Sequence, residues 1–298
     1  MFPLTDNTIR LWREDFIKFL ETPKCYSQQT KRSYSYDVAE FLFSLLRGKY
    51  LIEDIEKITR QDILGHIRSL KNKGRKKTTL ARKCASLRSF FRFLIVQNII
   101  TADPTEKISF PGIPKRQPVV LTTEEIEKLL SVRIGKNEWL KKRNRAILEL
   151  MYSTGIKISN VVELNISDID LANETIRIRD SNGISERMAP ISACLLIPLK
   201  QYLEVRGHLP QAKEIDPNAL FINHYGRRIS IRYFGKILQA CVREAKLSKR
   251  VSPNTLRYSF AHHLLQKGAP KDVVRKLLGL KSDTTMKRYI PPELSART

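Results

Sequence analysis

At 298 residues the chain exceeds one compact core of ordinary size, so two domains are expected, and a 42% hydrophobic share excludes a disordered tail-like protein. Its 54 Lys plus Arg against 30 Asp plus Glu leave a formal net charge of +24, which calls for an anionic partner; phosphate backbones are the usual one, although RNA, ribosomal or membrane-surface binding would carry the same excess. There is no run of about 18 apolar residues and no signal-like start, so a cytoplasmic protein without membrane contact is expected.

From Asn7 to about Asn98 apolar residues recur at helical spacing, and the pattern predicts four helices. The first runs from about residue 7 to Leu20, with Ile9, Leu11, Trp12, Phe16 and Phe19 as its apolar set, and stops at Thr22-Pro23. The second starts near Ser27, buries Tyr34, Val38, Phe41, Leu42 and Leu45, and stops at Gly48. The third starts at Thr59 with Ile63, Ile67 and Leu70 inward and ends at Gly74. The fourth spans Thr78 to Gln97 and carries Leu80, Cys84, Leu87, Phe90, Phe91 and Leu94. Four prolines, a glycine and Lys115-Arg116 between Asp103 and Val120 read as an extended linker, dividing the chain into 1–104, a linker over 105–120, and 121–298.

Beyond the linker, Thr122 or Thr123 caps a helix with Glu124 and Glu125 in its first turn. A longer helix ends at Thr154-Gly155. The stretch Glu174 to Ile191 reads as two strands around an Asn182-Gly183 turn, and the remainder is again helical. The fold class is therefore mainly α with a small antiparallel β-sheet: an all-helical first domain and an α+β second one. Cys25, Cys84, Cys194 and Cys241 are scattered, lack metal-type spacing, and read as reduced and mostly core.

Two helix starts concentrate basic and hydroxyl residues. The fourth helix offers Lys77, Thr78, Arg82, Lys83, Arg88 and Arg92, with 78, 82, 85, 88, 89 and 92 on one face opposite the apolar stripe. The second offers Ser27, Gln28, Thr30, Lys31 and Arg32. Charge runs of this kind are often only solvated faces; two at helix N-termini in so basic a chain favour phosphate contact by Thr30, Arg32, Lys77, Thr78, Arg82 and Arg88.

Residues 251–289 resemble the C-terminal signature of the tyrosine recombinase (phage integrase) family, Xer-like in type. Ser252-Pro253, Leu256-Arg257, Phe260-Ala261, Leu264-Leu265 and Leu277-Leu278-Gly279 match, and Tyr289 stands where the nucleophile belongs. Upstream, the stretch Met151 to Leu171 resembles the family's first arginine box, and the hairpin occupies the position of its lysine-bearing hairpin. The resemblance implies a helical core-binding domain that clamps double-stranded DNA, a catalytic-type domain, and a reaction needing neither metal nor nucleotide: the tyrosine attacks a phosphodiester, cations hold the non-bridging oxygens, and an acid protonates the leaving 5′-oxygen.

By that resemblance Tyr289 and Arg257 are retained, and Lys157 keeps a charge in place of an arginine but not its bidentate fork. Asn254 and Leu280 replace two family histidine-type positions, Tyr258 a third, and Asn160 a glutamate. Aligned on Glu186-Arg187, the hairpin places Asn182 at the lysine, with Ser181 or Ser185 if the turn slips. His262 and His263 are poorly placed on their helix to substitute. The implied function is a DNA-binding protein of site-specific recombination and integration whose catalysis is impaired, a pseudoenzyme or architectural subunit near the nucleoid, partnered by an active recombinase or by its own copies. The alternatives are an active recombinase forming a 3′-phosphotyrosyl link through Tyr289, and a DNA-binding regulator.

Overall fold

The computed structural model describes residues 7–21, 26–46, 52–108, 117–179, 186–208, 215–280 and 282–290. The Thr22-Pro23 break, Cys25, Gly48, Lys115-Arg116 and the Asn182-Gly183 turn fall outside them. The chain divides into two compact units, Met1–Lys115 and Arg116–Thr298.

In the first unit, α1 (Asn7–Phe19), α2 (Gln28–Leu46), α3 (Arg60–Asn72) and α4 (Lys77–Val96) enclose one apolar core, with a 3-10 turn at Ile52–Lys57. A capping box between Thr59 and Asp62 starts α3, satisfying two amide donors that the helix itself leaves open. Gly74, in the left-handed region at φ 75°, makes the corner into α4. Phe16, Phe41, Phe90, Phe91 and Phe93 form the centre, with Phe16 and Phe90 meeting edge to face at 5.4 Å. Each such ring contributes about 1.5–3 kcal/mol by leaving water. Thr105 and Ile108 are also buried in this unit, so the first residues of the expected linker are packed rather than extended.

Four side chains differ from their expected surroundings. Leu11 is exposed although its spacing placed it with the apolar set. Lys31 is buried and bound to Glu21 Oε1 at 2.8 Å. Lys83 is buried between α2 and α4, where its Nζ donates to Asp37 Oδ1 at 2.7 Å and to Glu40. Arg82, expected on the solvent face, pairs with the other oxygen of Asp37 and donates to the Ser33 carbonyl. The cause is Asp37, whose carboxylate is wholly inside and must be met by cations from α4.

In the second unit, α5 (Thr123–Ser131) starts with a Thr122–Glu125 capping box, and α6 (Glu138–Thr154) with an Asn137 cap. There follow α7 (Ile158–Glu163), β1 (Ile169–Asp170), β2 (Thr175–Arg179), β3 (Glu186–Pro190), α8 (Ala193–Arg206), α9 (Ile231–Glu244), α10 (Pro253–Gln266), α11 (Lys271–Leu278) and α12 (Asp283–Met286). The strands form an antiparallel sheet in the order β1-β2-β3, with Thr175 opposite Pro190 and Arg179 opposite Glu186. The expected hairpin strands are both present, and the two-residue β1 was not foreseen. Helix α6 is the axis of the unit, packed on α8 and α10. Its Arg143 is fully buried, donating to Ile222 O at 3.0 Å and Asn144 Oδ1 at 2.7 Å between the rings of Trp139 and Tyr233. Among the described cysteines, Cys84 and Cys241 are buried and Cys194 is exposed on α8.

Candidate active site and nucleic-acid interface

Helix α10 opens with a capping box between Ser252 and Thr255, with Pro253 in its first turn. One turn on, Arg257 points inward and is 2% exposed. Its Nη1 donates to the Gly155 carbonyl at 2.6 Å, its Nη2 to the Leu278 carbonyl at 2.6 Å, and its Nε to the Tyr289 hydroxyl at 3.0 Å. Gly155 caps the end of α6, and Leu278 is the last residue of α11; both helices stop at a left-handed glycine, Gly155 and Gly279. The guanidinium thus sits at two helix C-termini, where unpaired carbonyls and the negative dipole ends favour a cation. Gly155 is required here, since a Cβ would stand 2.4 Å from Phe260 Cδ1 and 2.8 Å from Leu278 Cδ2.

Tyr289 follows α12, its ring 5.7 Å from the Arg257 guanidinium and 4.7 Å from the ring of Tyr258. Tyr289 lies over an apolar floor of Ala261, Leu265, Val274, Leu278, Leu280 and Met286. Burial pushes the Tyr258 phenol up, with the neighbouring Tyr289 adding to the shift. Leu280 is part of the buried floor and offers nothing polar. Lys157 is exposed at the residue preceding α7, and Asn254 is exposed in the first turn of α10. Asn160 is buried, and its amide nitrogen donates to the Arg179 carbonyl, which ties α7 to the end of β2. Asn182 lies outside the described residues. His263 shares a 2.9 Å hydrogen bond with the Tyr152 hydroxyl, and burial lowers its pKa. No cluster of His, Cys, Asp or Glu suited to a metal ion occurs among the described residues.

Of the residues expected at this site, Arg257, Tyr289 and Leu280 come together. A further residue beside them is Arg187, to which the sequence assigns no role at the site. It lies on β3 opposite Ile178, on the face shared with buried Ala189, and its Nε stands 3.1 Å from where a Cβ on Gly279 would be. The alternation Arg187, Ala189, Ile191 was the signal that it points inward.

Among the expected phosphate contacts of the first unit, Thr30 shares a 2.9 Å hydrogen bond with Ser27 at the start of α2, and Arg32, Lys77 and Thr78 are exposed. Arg88 is exposed and donates to the Ile108 carbonyl at 3.0 Å. The Arg82 side chain is 39% exposed and its guanidinium pairs with Asp37, a partner the spacing did not indicate.

Family models match both units: "Phage integrase family" over residues 119–294 and "Phage integrase, N-terminal SAM-like domain" over 14–98. The chain is 35% identical over 277 residues to a tyrosine recombinase XerD of Oceanobacillus iheyensis, covering 93% of this chain and 92% of that protein. It is 34% identical over 274 residues to a tyrosine recombinase XerC of Listeria innocua, covering 92% and 90%. Among solved structures, the XerH site-specific recombinase bound to palindromic difH substrate, a post-cleavage complex, superposes with a TM-score of 0.74 at 22% identity, covering 97% of this chain and 94% of that one. Among the described residues no helix is long and apolar enough to cross a membrane.

Proposed function

The chain belongs to the phage integrase family of tyrosine recombinases, and from that premise we propose that it binds duplex DNA in site-specific recombination as a subunit whose own strand cleavage is impaired. The observation that carries this reading is the state of Arg257. Each of its three guanidinium nitrogens donates to a group of the protein itself, and one of those groups is the hydroxyl expected to attack the phosphate.

Chemistry of this kind needs a phosphate clamped by cations and a proton donor at the leaving oxygen. Lys157 lacks the bidentate fork, and neither Asn254 nor buried Leu280 can serve as a titrating acid. Loss of a positioned acid costs about 10²- to 10⁴-fold and loss of one charge-stabilising donor about 10²- to 10³-fold. Such losses are not additive, yet even one of each leaves a slow reaction. The net charge of +24 and the exposed Arg32, Lys77, Thr78 and Arg88 support a retained grip on DNA. In this reading the protein works in the cytoplasm on the nucleoid, and completes an assembly with an active recombinase or with its own copies.

One feature favours the opposite reading, an active recombinase: Tyr289 and Arg257 are both retained, and the three hydrogen bonds of Arg257 leave two of its five N–H groups for a phosphate. A nicked suicide substrate made from the DNA flanking the gene separates the two. Retarded complexes without a covalent adduct are expected. A Tyr289-dependent adduct on a denaturing gel would establish the active enzyme, and absence of any retarded complex would remove DNA binding altogether.

A further inference from the structure

We propose that Tyr258 is a positioning residue of this site: its ring holds the ring of Tyr289 so that the Tyr289 hydroxyl stays on Arg257 Nε. The assignment goes beyond the reading above and stands whether or not the chain cleaves DNA.

Two adjacent residues of α10 reach Tyr289 by different routes. Successive side chains leave an α-helix about 100° apart, and here Arg257 runs into the interior while Tyr258 stays half-buried at the flank. Arg257 Nε donates to the Tyr289 hydroxyl at 3.0 Å, and the rings of Tyr258 and Tyr289 meet at 4.7 Å between centroids and 37° between planes. At that separation an aromatic pair attracts beyond the area it buries.

The two contacts restrain different motions. A single hydrogen bond fixes the phenolic oxygen and leaves the ring free to swing about it, and Nε has only one hydrogen to give. The backbone adds one turn: α12 is four residues long, and the Tyr289 amide donates to the Met286 carbonyl at 2.8 Å. The floor of Leu278, Leu280 and Met286 is apolar and non-directional. The Tyr258 ring is therefore the group that sets the plane of Tyr289. Burial and the nearby Tyr289 push the Tyr258 phenol up, so Tyr258 is neutral at ordinary pH and packs on its neighbour as an uncharged ring. Because Arg257 and Tyr258 are consecutive on one helix, the bracket they form moves as a unit with α10.

The test reads the Arg257 Nε–H by NMR on the full chain without DNA, so its failure is distinguishable from failure of the DNA-binding reading. Tyr289→Phe removes the acceptor; the arginine Nε–H resonance that moves is that of Arg257, and its exchange with water in that variant is the rate with the bond absent. Tyr258→Leu is expected to raise the exchange rate above wild type by about 2- to 10-fold, the contribution of an aromatic pair expressed as a ratio. Tyr258→Phe, which keeps the ring, is expected to match wild type. A merely structural role for Tyr258 would change melting without singling out this resonance. A folded Tyr258→Leu chain with wild-type exchange overturns the proposal, as does a Tyr258→Phe chain that exchanges like Tyr258→Leu, or a Tyr289→Phe chain in which no arginine Nε–H resonance moves. If Tyr258→Leu does not fold, photo-oxidative coupling of the wild-type chain decides: a dityrosine peptide joining Tyr258 and Tyr289 supports the pairing, and its absence overturns it.

Discussion

Replacing Asp37 with asparagine tests the account of the first unit's polar interior. The Asp37 side chain is 0% exposed and accepts from Arg82 Nη1, from Lys83 Nζ at 2.7 Å and from Ser86 Oγ at 3.3 Å. Removing one partner of a buried ion pair costs about 3–5 kcal/mol. Two features pull the expectation to the lower end, about 3 kcal/mol: Lys83 keeps Glu40, and the Arg82 side chain, 39% exposed, can return to water. A loss of that size raises the unfolded population about 10²-fold, and for a domain of this size it lowers the melting temperature by about 12–24 °C. Hydrogen exchange by mass spectrometry on the full chain reads the first unit separately, and amides of α2 and α4 should lose protection together. Arg82→Gln should cost less than about 1 kcal/mol, since its pair is partly solvated. An Asp37→Asn chain within about 1 kcal/mol of wild type, with unchanged α2 and α4 exchange, would refute the claim that this carboxylate anchors the two helices. The same contacts make Arg82 a poor probe of DNA binding, and Arg32, Lys77 and Arg88 are the better set.

Duplex affinity should fall about 10³- to 10⁵-fold between 50 and 200 mM salt if six to ten phosphates are contacted, and an affinity flat in salt would contradict the DNA grip. Tyr289→Phe should leave retardation unchanged and yield no loss of covalent adduct, because none is expected from the parent chain. Gly155→Ala should destabilise the second unit by about 1–3 kcal/mol or more, as its φ of 59° is strained for a side chain and Phe260 and Leu278 fill the space; a melt within error of wild type would count against this packing. His66, held beside Phe41 with its Nδ1 2.8 Å from Ser44 Oγ, has its pKa pushed down to about 4, chiefly by burial. The unfolded chain therefore binds the extra proton first, so this stability is complete above about pH 6.5 and is lost as pH falls through about 4, amounting to about 2–3 kcal/mol. Urea midpoints measured at neutral and acid pH should show this loss in wild type and not in His66→Gln.

The helices of the first unit were legible because each satisfies a local rule: apolar residues at helical spacing, a threonine cap at α3 and a glycine corner before α4. The β2 and β3 strands were legible for the same reason, through alternation on either side of a turn-forming pair. Arg257 and Tyr289 could be named from motif residues, since their spacing along the chain is short and repeated in the family. What local pattern cannot carry is the identity of a distant partner. Lys83 looked like one more solvated lysine until α2 brought Asp37 and Glu40 against it, and Arg82 followed. Arg187 had no assigned role until α11 ended beneath it at Gly279. That Arg257 donates to Gly155 and Leu278 depends on carbonyls left open where α6 and α11 stop, from positions 102 and 21 residues away. Sequence thus determined the elements and the residue types at the site; tertiary structure alone decided which charges face water and which are consumed inside, because a charge is priced by the groups brought around it rather than by its neighbours along the chain.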